Sequence, residues 1–322
     1  MMVKILVLKE HLREIYSQYD IYILAVLKFL LTFLILAALG SNIGYMSILK
    51  NPLIMIGIGL LCSFMPVGII SLIMCASTLL HFSAVSMELT ISTAIIMICM
   101  YCLYFILGMR NSVIMVLTVL LCFYQIPGAI VVALGLMFTP IASIPASFGI
   151  VLYTIIGIAK KDIGTIFSTN SSLDMLGKLS YLFQNIGNNE EMMLLIISFI
   201  MTISFVYVLR RMNINYSWSF AIGAGSVVYI LIVLIGSFVI DIPVNAITVI
   251  LSILLGAIAS LVLYLFVFSI DYTRIENVQF EDDDYYYFVK AIPKISVTTP
   301  EKKVKRINTR KVVHENQKNE NE

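Results

Sequence analysis

The chain has 322 residues, of which 60% are apolar and 12% are charged, and its formal net charge is +2. A soluble protein of this length cannot bury so much apolar surface, because even a large single core leaves much of the chain in contact with water. The charged residues lie mainly before Asp20, in short loops and after Asp271. We therefore expect the region between these two residues to lie in lipid.

Residues 1–20 mix apolar and basic side chains in a helical pattern. This pattern predicts an amphipathic helix that lies on the membrane surface with its basic residues toward the headgroups. A secretory signal peptide is the competing interpretation, because the apolar run after Lys28 has the length of an h-region and ends in small residues. Its charged n-region would then be unusually long.

A membrane-spanning helix needs roughly 20 apolar residues, because the hydrocarbon core is ~30 Å thick and each residue rises ~1.5 Å. Two regions, 52–82 and 112–140, are too long for one span and are interrupted by Pro66 and by Pro127–Gly128. Each is predicted to form two helical arms joined at the break. Six other segments are predicted to span the membrane: 21–40, 87–108, 144–159, 192–209, 217–240 and 243–270.

The distribution of basic residues predicts the orientation, because cytoplasmic loops carry an excess of Lys and Arg. Lys4, Lys9 and Arg13 place the N-terminus in the cytoplasm, and a basic tail after the last span places the C-terminus there too. The broken regions do not change this result, since each crosses the membrane either twice or not at all. We expect a multi-pass protein of a bacterial plasma membrane. Among the other basic loop residues, Arg110, Arg210 and Arg211 lie on the predicted cytoplasmic side and agree with this orientation. Lys160 and Lys161 lie on the opposite side and do not.

The two broken regions resemble each other in sequence. Residues 51–62 and 111–122 align without gaps with six identities, and Pro66 then matches Pro127 after a slip of one residue. Each of the units 51–110 and 111–168 consists of a broken region and the span that follows it, so each crosses the membrane an odd number of times. The two units would therefore form an inverted repeat. Secondary transporters and channels use such repeats, with the helix breaks near the transport pathway. Pro66, Pro127 and Gly128 are thus candidate pathway residues, unless the similarity is compositional and the prolines merely kink helices.

His81 and Glu88 flank a short turn between two apolar segments. Ionisable residues at membrane depth often have a function, and a His–Glu pair could carry protons or bind a cation. The alternative is that both residues cap and anchor helix ends, with Ser86 and Glu88 at the start of the next helix.

The sequence contains no recognisable catalytic constellation. It has three histidines and no GxxxxGK[ST] motif, so neither a zinc cluster nor a phosphate-binding loop is indicated. The five cysteines fall inside apolar runs, where thiols usually act as small hydrophobic groups. We expect no enzymatic activity, no catalytic residues, no metal, no cofactor and no nucleic-acid partner.

Residues 271–300 differ in composition from the apolar region. Val278 and Phe280 precede an acidic run, and Tyr285 and Tyr287 follow it with the alternation of a half-buried strand. This pattern predicts a cytoplasmic β-hairpin whose turn contains Asp282–Asp284, an acidic turn that is either solvated or able to bind a divalent cation. A hairpin edge could dock a membrane or cytoplasmic protein by strand addition, and the candidate docking residues are Val278, Phe280, Tyr285 and Tyr287. The basic, polar residues 301–322 are predicted to be a disordered tail.

Several segments carry a resemblance to a known family: "SNIGYM", "LLCSFMPV", "FYQIPG", "RRMNINYSW" and especially "DYTRIENVQFEDDDYYYFVKAIPK". Over nearly its whole length the chain resembles uncharacterised polytopic membrane proteins of clostridia and related Gram-positive bacteria, some of which are labelled ABC transporter permeases. The resemblance implies a membrane location and architecture, and it assigns no functional residues.

The sequence therefore predicts an all-α integral membrane protein with about six long transmembrane helices, two Pro-broken hairpins and a small C-terminal β-hairpin. Two functions fit this architecture. One is a transporter-like protein or permease subunit, and the other is a non-transporting envelope scaffold that recruits a partner through its cytoplasmic tail.

Overall fold

The computed structural model describes residues 2–106, 111–163, 167, 175–214, 216–268, 276–281 and 286–291. Within these residues the chain forms eleven α-helices followed by two β-strands. Six of the helices are long and apolar enough to cross a membrane. The predicted all-α membrane architecture is therefore confirmed. Arg110, the predicted turn Asp282–Asp284, Tyr285 and the tail 301–322 lie outside the described residues.

Helix α1, Met2–Asn42, contains both the predicted surface helix and the first predicted span. The two parts meet at Tyr19, whose backbone is not helical (φ −123°, ψ 24°). This kink falls at the boundary that the change from amphipathic to apolar sequence predicts.

Both broken regions form pairs of short helices. The first consists of α2, Pro52–Phe64, and α3, Gly68–Ser83. Asn51 caps α2 by accepting a hydrogen bond from Leu53 N–H, and Met65 ends it in an extended conformation. The residue before a proline is driven out of the helical region by contact with the proline ring, so Pro66 explains this end. The second region consists of α5, Val113–Phe123, and α6, Gly128–Met137.

The long helices are α4, Met87–Ile106; α7, Ser143–Asp162; α9, Glu190–Arg210; α10, Ser217–Ile240; and α11, Ala246–Leu263. Helix α8, Met175–Gly187, is absent from the sequence predictions, because its segment is polar and lies between two predicted spans. Its apolar residues recur at helical spacing, and Leu182 is fully buried. Tertiary packing of this one face stabilises a helix that is too short and polar to span a membrane.

Glu88 and Arg210 mark opposite ends of the helical bundle. Arg210 donates a hydrogen bond to the Phe138 carbonyl just after α6, which places the end of the second hairpin at the Arg210 end. Polar contacts join helix ends at the Glu88 end: Met46 with His81, Lys178 with Glu88, and Tyr181 with Asp162.

The two hairpins have opposite orientations. The first begins and ends at the Glu88 end, since His81 near the end of α3 contacts Met46 just after α1. The second hairpin begins at Ser112. This residue lies at the Arg210 end, because α4 starts at the Glu88 end and extends over 20 helical residues, or about 30 Å. The second hairpin also ends at the Arg210 end, at Phe138. The break of each hairpin therefore points toward the end at which the other hairpin opens.

The surroundings of the hairpins differ. Residues 130–136 of α6 are all buried, because α6 lies among α9, α10 and α11. By contrast, the break of the first hairpin is exposed, and Phe64 has 86% of its surface accessible. Helices α5 and α7 contribute residues to two apolar clusters, one around Met74 and Phe82 and one around Phe199 and Tyr229. Many apolar side chains point outward, as expected for a bundle whose solvent is lipid.

Strands β1, Glu276–Glu281, and β2, Tyr286–Ala291, form the predicted antiparallel hairpin. Their register pairs Val278 with Val289 and Phe280 with Tyr287. The hairpin belongs to a compact unit separate from the bundle formed by residues 12–269.

Candidate functional site

The break of the first hairpin is held by a lysine of the first predicted span. Lys28 Nζ donates a hydrogen bond of 3.0 Å to the carbonyl oxygen of Met65, directly before Pro66. A charged side chain within an apolar span is costly unless it has a partner, and a helix end leaves its last carbonyls without intrahelical donors. Lys28 and the break therefore supply each other's hydrogen-bonding partner.

The break of the second hairpin is a tight, irregular turn. Gln125 adopts the left-handed region (φ 60°), and Ile126 N–H donates to the Leu121 carbonyl at 2.9 Å. The side chain of Gln125 donates to the Tyr153 hydroxyl on α7 at 3.0 Å. Pro127 then precedes the first residue of α6.

Gly128 is a close crossing point between α6 and its neighbours α10 and α11. A Cβ atom at Gly128 would lie 2.8 Å from Ser252 Oγ and 2.8 Å from a ring carbon of Tyr229. A Cβ atom at Gly256 would lie 2.7 Å from the Gly128 carbonyl oxygen. Both glycines are thus needed for α11 to approach α6. Since Tyr229 lies midway along α10, the break at Pro127–Gly128 lies near the middle of the bundle.

The structure does not bring the two breaks together. Gly68, just after the first break, lies beside Ser112 at the start of α5. The second break follows the other end of α5, whose 11 residues extend about 16 Å. Pro66 therefore lies far from Pro127 and Gly128 along the bundle axis, and only the second break is near mid-depth.

Two adjoining cavities lead from the Glu88 end to the second break. The outer one has a volume of about 300 Å³, and its lining includes Lys161, Asp162 and Glu191. The inner one has a volume of about 90 Å³ and reaches Pro127 and Ser252. Three residues line both cavities: Tyr153, Glu191 and Leu195.

The inner cavity contains a polar group without a partner. Ser252 is 1% exposed, and its hydroxyl makes no hydrogen bond within the part of the chain that the structure describes. Such groups are unusual in folded proteins and call for an explanation, such as a bound water or ligand. Tyr229, also buried, lines the same cavity.

His81 and Glu88 do not pair in the structure. Nδ1 of buried His81 accepts a hydrogen bond of 3.2 Å from Met46 N–H. Burial lowers the pKa of His81, and the nearby Lys50 ammonium lowers it further, so the neutral form that can accept this bond is favoured. Glu88 instead accepts bonds of 2.7 Å from Ser86 Oγ and from Lys178 Nζ, so each residue fixes a helix end.

Sequence reasoning missed Lys178, Glu191, Tyr229 and Ser252. The periodic apolar residues of α8 were the available signal for Lys178, which lies on that helix and is 2% exposed. Glu191 resembles an ordinary acidic residue in the first turn of a helix. Serine and tyrosine in apolar helices carry no signal of their own, because only packing decides which ones meet a cavity.

Comparison of the chain with known proteins found no matching family model, no matching curated protein and no matching solved structure.

Proposed function

We propose that this polytopic membrane protein is a transporter, or the permease subunit of one, in which solute enters through the cavities at the Glu88 end. The observation that carries the proposal is the position of the second break, near mid-depth and at the inner end of these cavities. Non-helical backbone at membrane depth is tolerated only where it is buried in protein or lines a water-filled space. Interrupted helices with this placement form the solute sites of many secondary transporters.

In this proposal the two hairpins have different roles. The second hairpin forms the pathway, because its break adjoins the cavities and its second arm is surrounded by α9, α10 and α11. The first hairpin has an exposed break held by Lys28, which suits a supporting or gating element at the opposite end. This assignment differs from a pathway shared equally by Pro66 and Pro127.

Cysteine accessibility tests the proposal. Single cysteines replace Thr248 and Gln125, which line the inner cavity, in an otherwise cysteine-free chain. Leu231→Cys is the matched control, because this residue lies near Tyr229 along α10 and is 49% exposed on the outer surface of the bundle. A membrane-impermeant thiol reagent should label the two cavity cysteines from one side only, and should leave Leu231→Cys unlabelled because lipid suppresses the thiolate. The predicted orientation makes that side the outside of the cell. Absence of labelling at both cavity positions would refute the pathway.

A scaffold is the second candidate, and the β-hairpin supports it. Tyr286 and Phe288 are 71% and 76% exposed, which is unusual for aromatic side chains unless they meet a partner. Under this alternative, Phe288→Ser abolishes function in cells while labelling at Thr248→Cys is unchanged. Under the transport proposal, cavity substitutions are the ones that abolish function.

A further inference from the structure

The two ends of the inner cavity differ in electrostatic character. Among its lining residues, Glu191 is the one with a charged side chain, and it lies where the inner and outer cavities adjoin. Lys161 and Asp162 line only the outer cavity. Seven of the other twelve inner lining residues are apolar: Cys122, Pro127, Leu194, Leu195, Val233, Val244 and Val249.

The end of the cavity at the second break offers hydrogen-bond donors. Helix α6 has ten residues and begins at Gly128, immediately after the Pro127 that lines the cavity. The first N–H groups of a helix lack intrahelical acceptors, and the helix dipole places roughly half a positive charge there. The unpartnered hydroxyl of Ser252 lies directly over Gly128, with Tyr229 beside it. This combination is suited to a carboxylate.

A single charge satisfies only one end of the cavity. A simple anion would be repelled by Glu191, and no basic side chain among the described lining residues of the inner cavity would offset that repulsion. A simple cation would bind Glu191 but would leave the Ser252 hydroxyl without a partner. A molecule that carries both charges satisfies both ends.

We propose that the cavity binds a small zwitterion of the α-amino-acid class, with its carboxylate at Ser252 and the start of α6 and its ammonium toward Glu191. The inner cavity, with a volume of about 90 Å³, has room for a small member of this class, such as glycine or alanine. This inference rests on the proposed function, because it names the solute of the same pathway.

Binding of radiolabelled L-alanine to the purified full-length protein tests the inference. Propionate and ethylamine are the two matched probes, because each is alanine without one of its charged groups. We expect saturable binding of L-alanine that unlabelled glycine displaces and that neither probe displaces at the same concentration. Displacement by propionate alone, or by ethylamine alone, would overturn the zwitterion and indicate an anion or cation site.

Three variants locate the site. Ser252→Ala and Glu191→Gln should each weaken alanine binding about tenfold, because each removes a partner of a charged ligand group. Ser260→Ala is the control, since Ser260 is also a buried hydroxyl without a described partner on α11 but does not line either cavity. Equal affinities in all three variants would overturn the assignment of the site.

The two proposals fail in different ways. If Thr248→Cys is labelled from one side but L-alanine does not bind, the pathway stands and the zwitterion is refuted. If Thr248→Cys and Gln125→Cys are both unlabelled, the pathway itself is refuted whatever the binding result.

Discussion

Replacing Gly256 by alanine tests the close crossing on which the position of the second break depends. The added Cβ would lie 2.7 Å from the carbonyl oxygen of Gly128 and 3.0 Å from that of Ala129. Both are backbone atoms within helices, so neither can move aside without separating α6 from α11. Forcing extra volume into such a packed contact costs about 1–3 kcal/mol.

Gly223→Ala is the matched control for this change. Gly223 also lies within a long apolar helix, α10, but a Cβ atom there meets nothing within 4 Å. Alanine is favoured over glycine in a helix by about 1 kcal/mol, and this gain is common to both variants. The difference between their free energies of unfolding therefore isolates the contact and should be about 1–3 kcal/mol.

Reversible unfolding in mixed micelles, followed by circular dichroism, measures this difference. Gly256→Ala should be the less stable variant, and alanine at Gly223 should be neutral or stabilising. Equal stability of the two variants would show that α6 and α11 do not approach this closely, and the mid-depth position of the break would lose its main support.

Three further predictions concern the polar contacts at the two ends of the bundle. Glu88→Gln should lower the melting temperature more than Lys178→Met, because Lys178 is 2% exposed and would remain buried without its anion, whereas Glu88 is 43% exposed; the reverse order in thermal scans would contradict this. Stability should be fully retained above about pH 6.5 and should fall as the pH drops below it. The reason is that His81 takes up a proton more readily in the unfolded chain than in the folded protein, where its pKa is lowered. A His81→Gln variant with the same pH dependence in chemical unfolding would exclude His81 as the cause. Lys28→Met should destabilise the protein by about 1 kcal/mol through loss of the bond to Met65, with Lys28→Arg retaining most of that stability; identical unfolding curves for both variants would show that the bond contributes nothing.

Local sequence predicted the helices and their interruptions well. Pro66 ends α2 because a proline drives the preceding residue out of the helical region, whereas Pro127 directly precedes α6 and follows the left-handed Gln125. The length and apolarity of the long segments predicted the six candidate spans, since both properties follow from the thickness of the hydrocarbon core. The alternation around the acidic run likewise predicted the β-hairpin, whose register pairs Phe280 with Tyr287.

The sequence could not predict the partners of its polar residues. His81 and Glu88 are seven positions apart, and the sequence offers both a pair and separate helix caps; in the structure they contact Met46 and Lys178. Lys178 lies 90 positions after Glu88, on a helix that the sequence did not predict. Neither contact has a local pattern, because it depends on which helix ends the packing gathers at one end of the bundle.

By itself, the sequence determined three features: the chain forms membrane helices, the two helical hairpins break at Pro66 and at Pro127–Gly128, and these two hairpins have opposite orientations. These features depend on local backbone chemistry and on the alternation of spans, and both follow from the order of residues along the chain. Tertiary structure alone decided that only the second break lies near mid-depth, against Ser252 and Tyr229. The reason is physical: the glycine at position 256 allows α11 to approach Gly128 of α6, and such an approach depends on residues 128 positions apart in the chain.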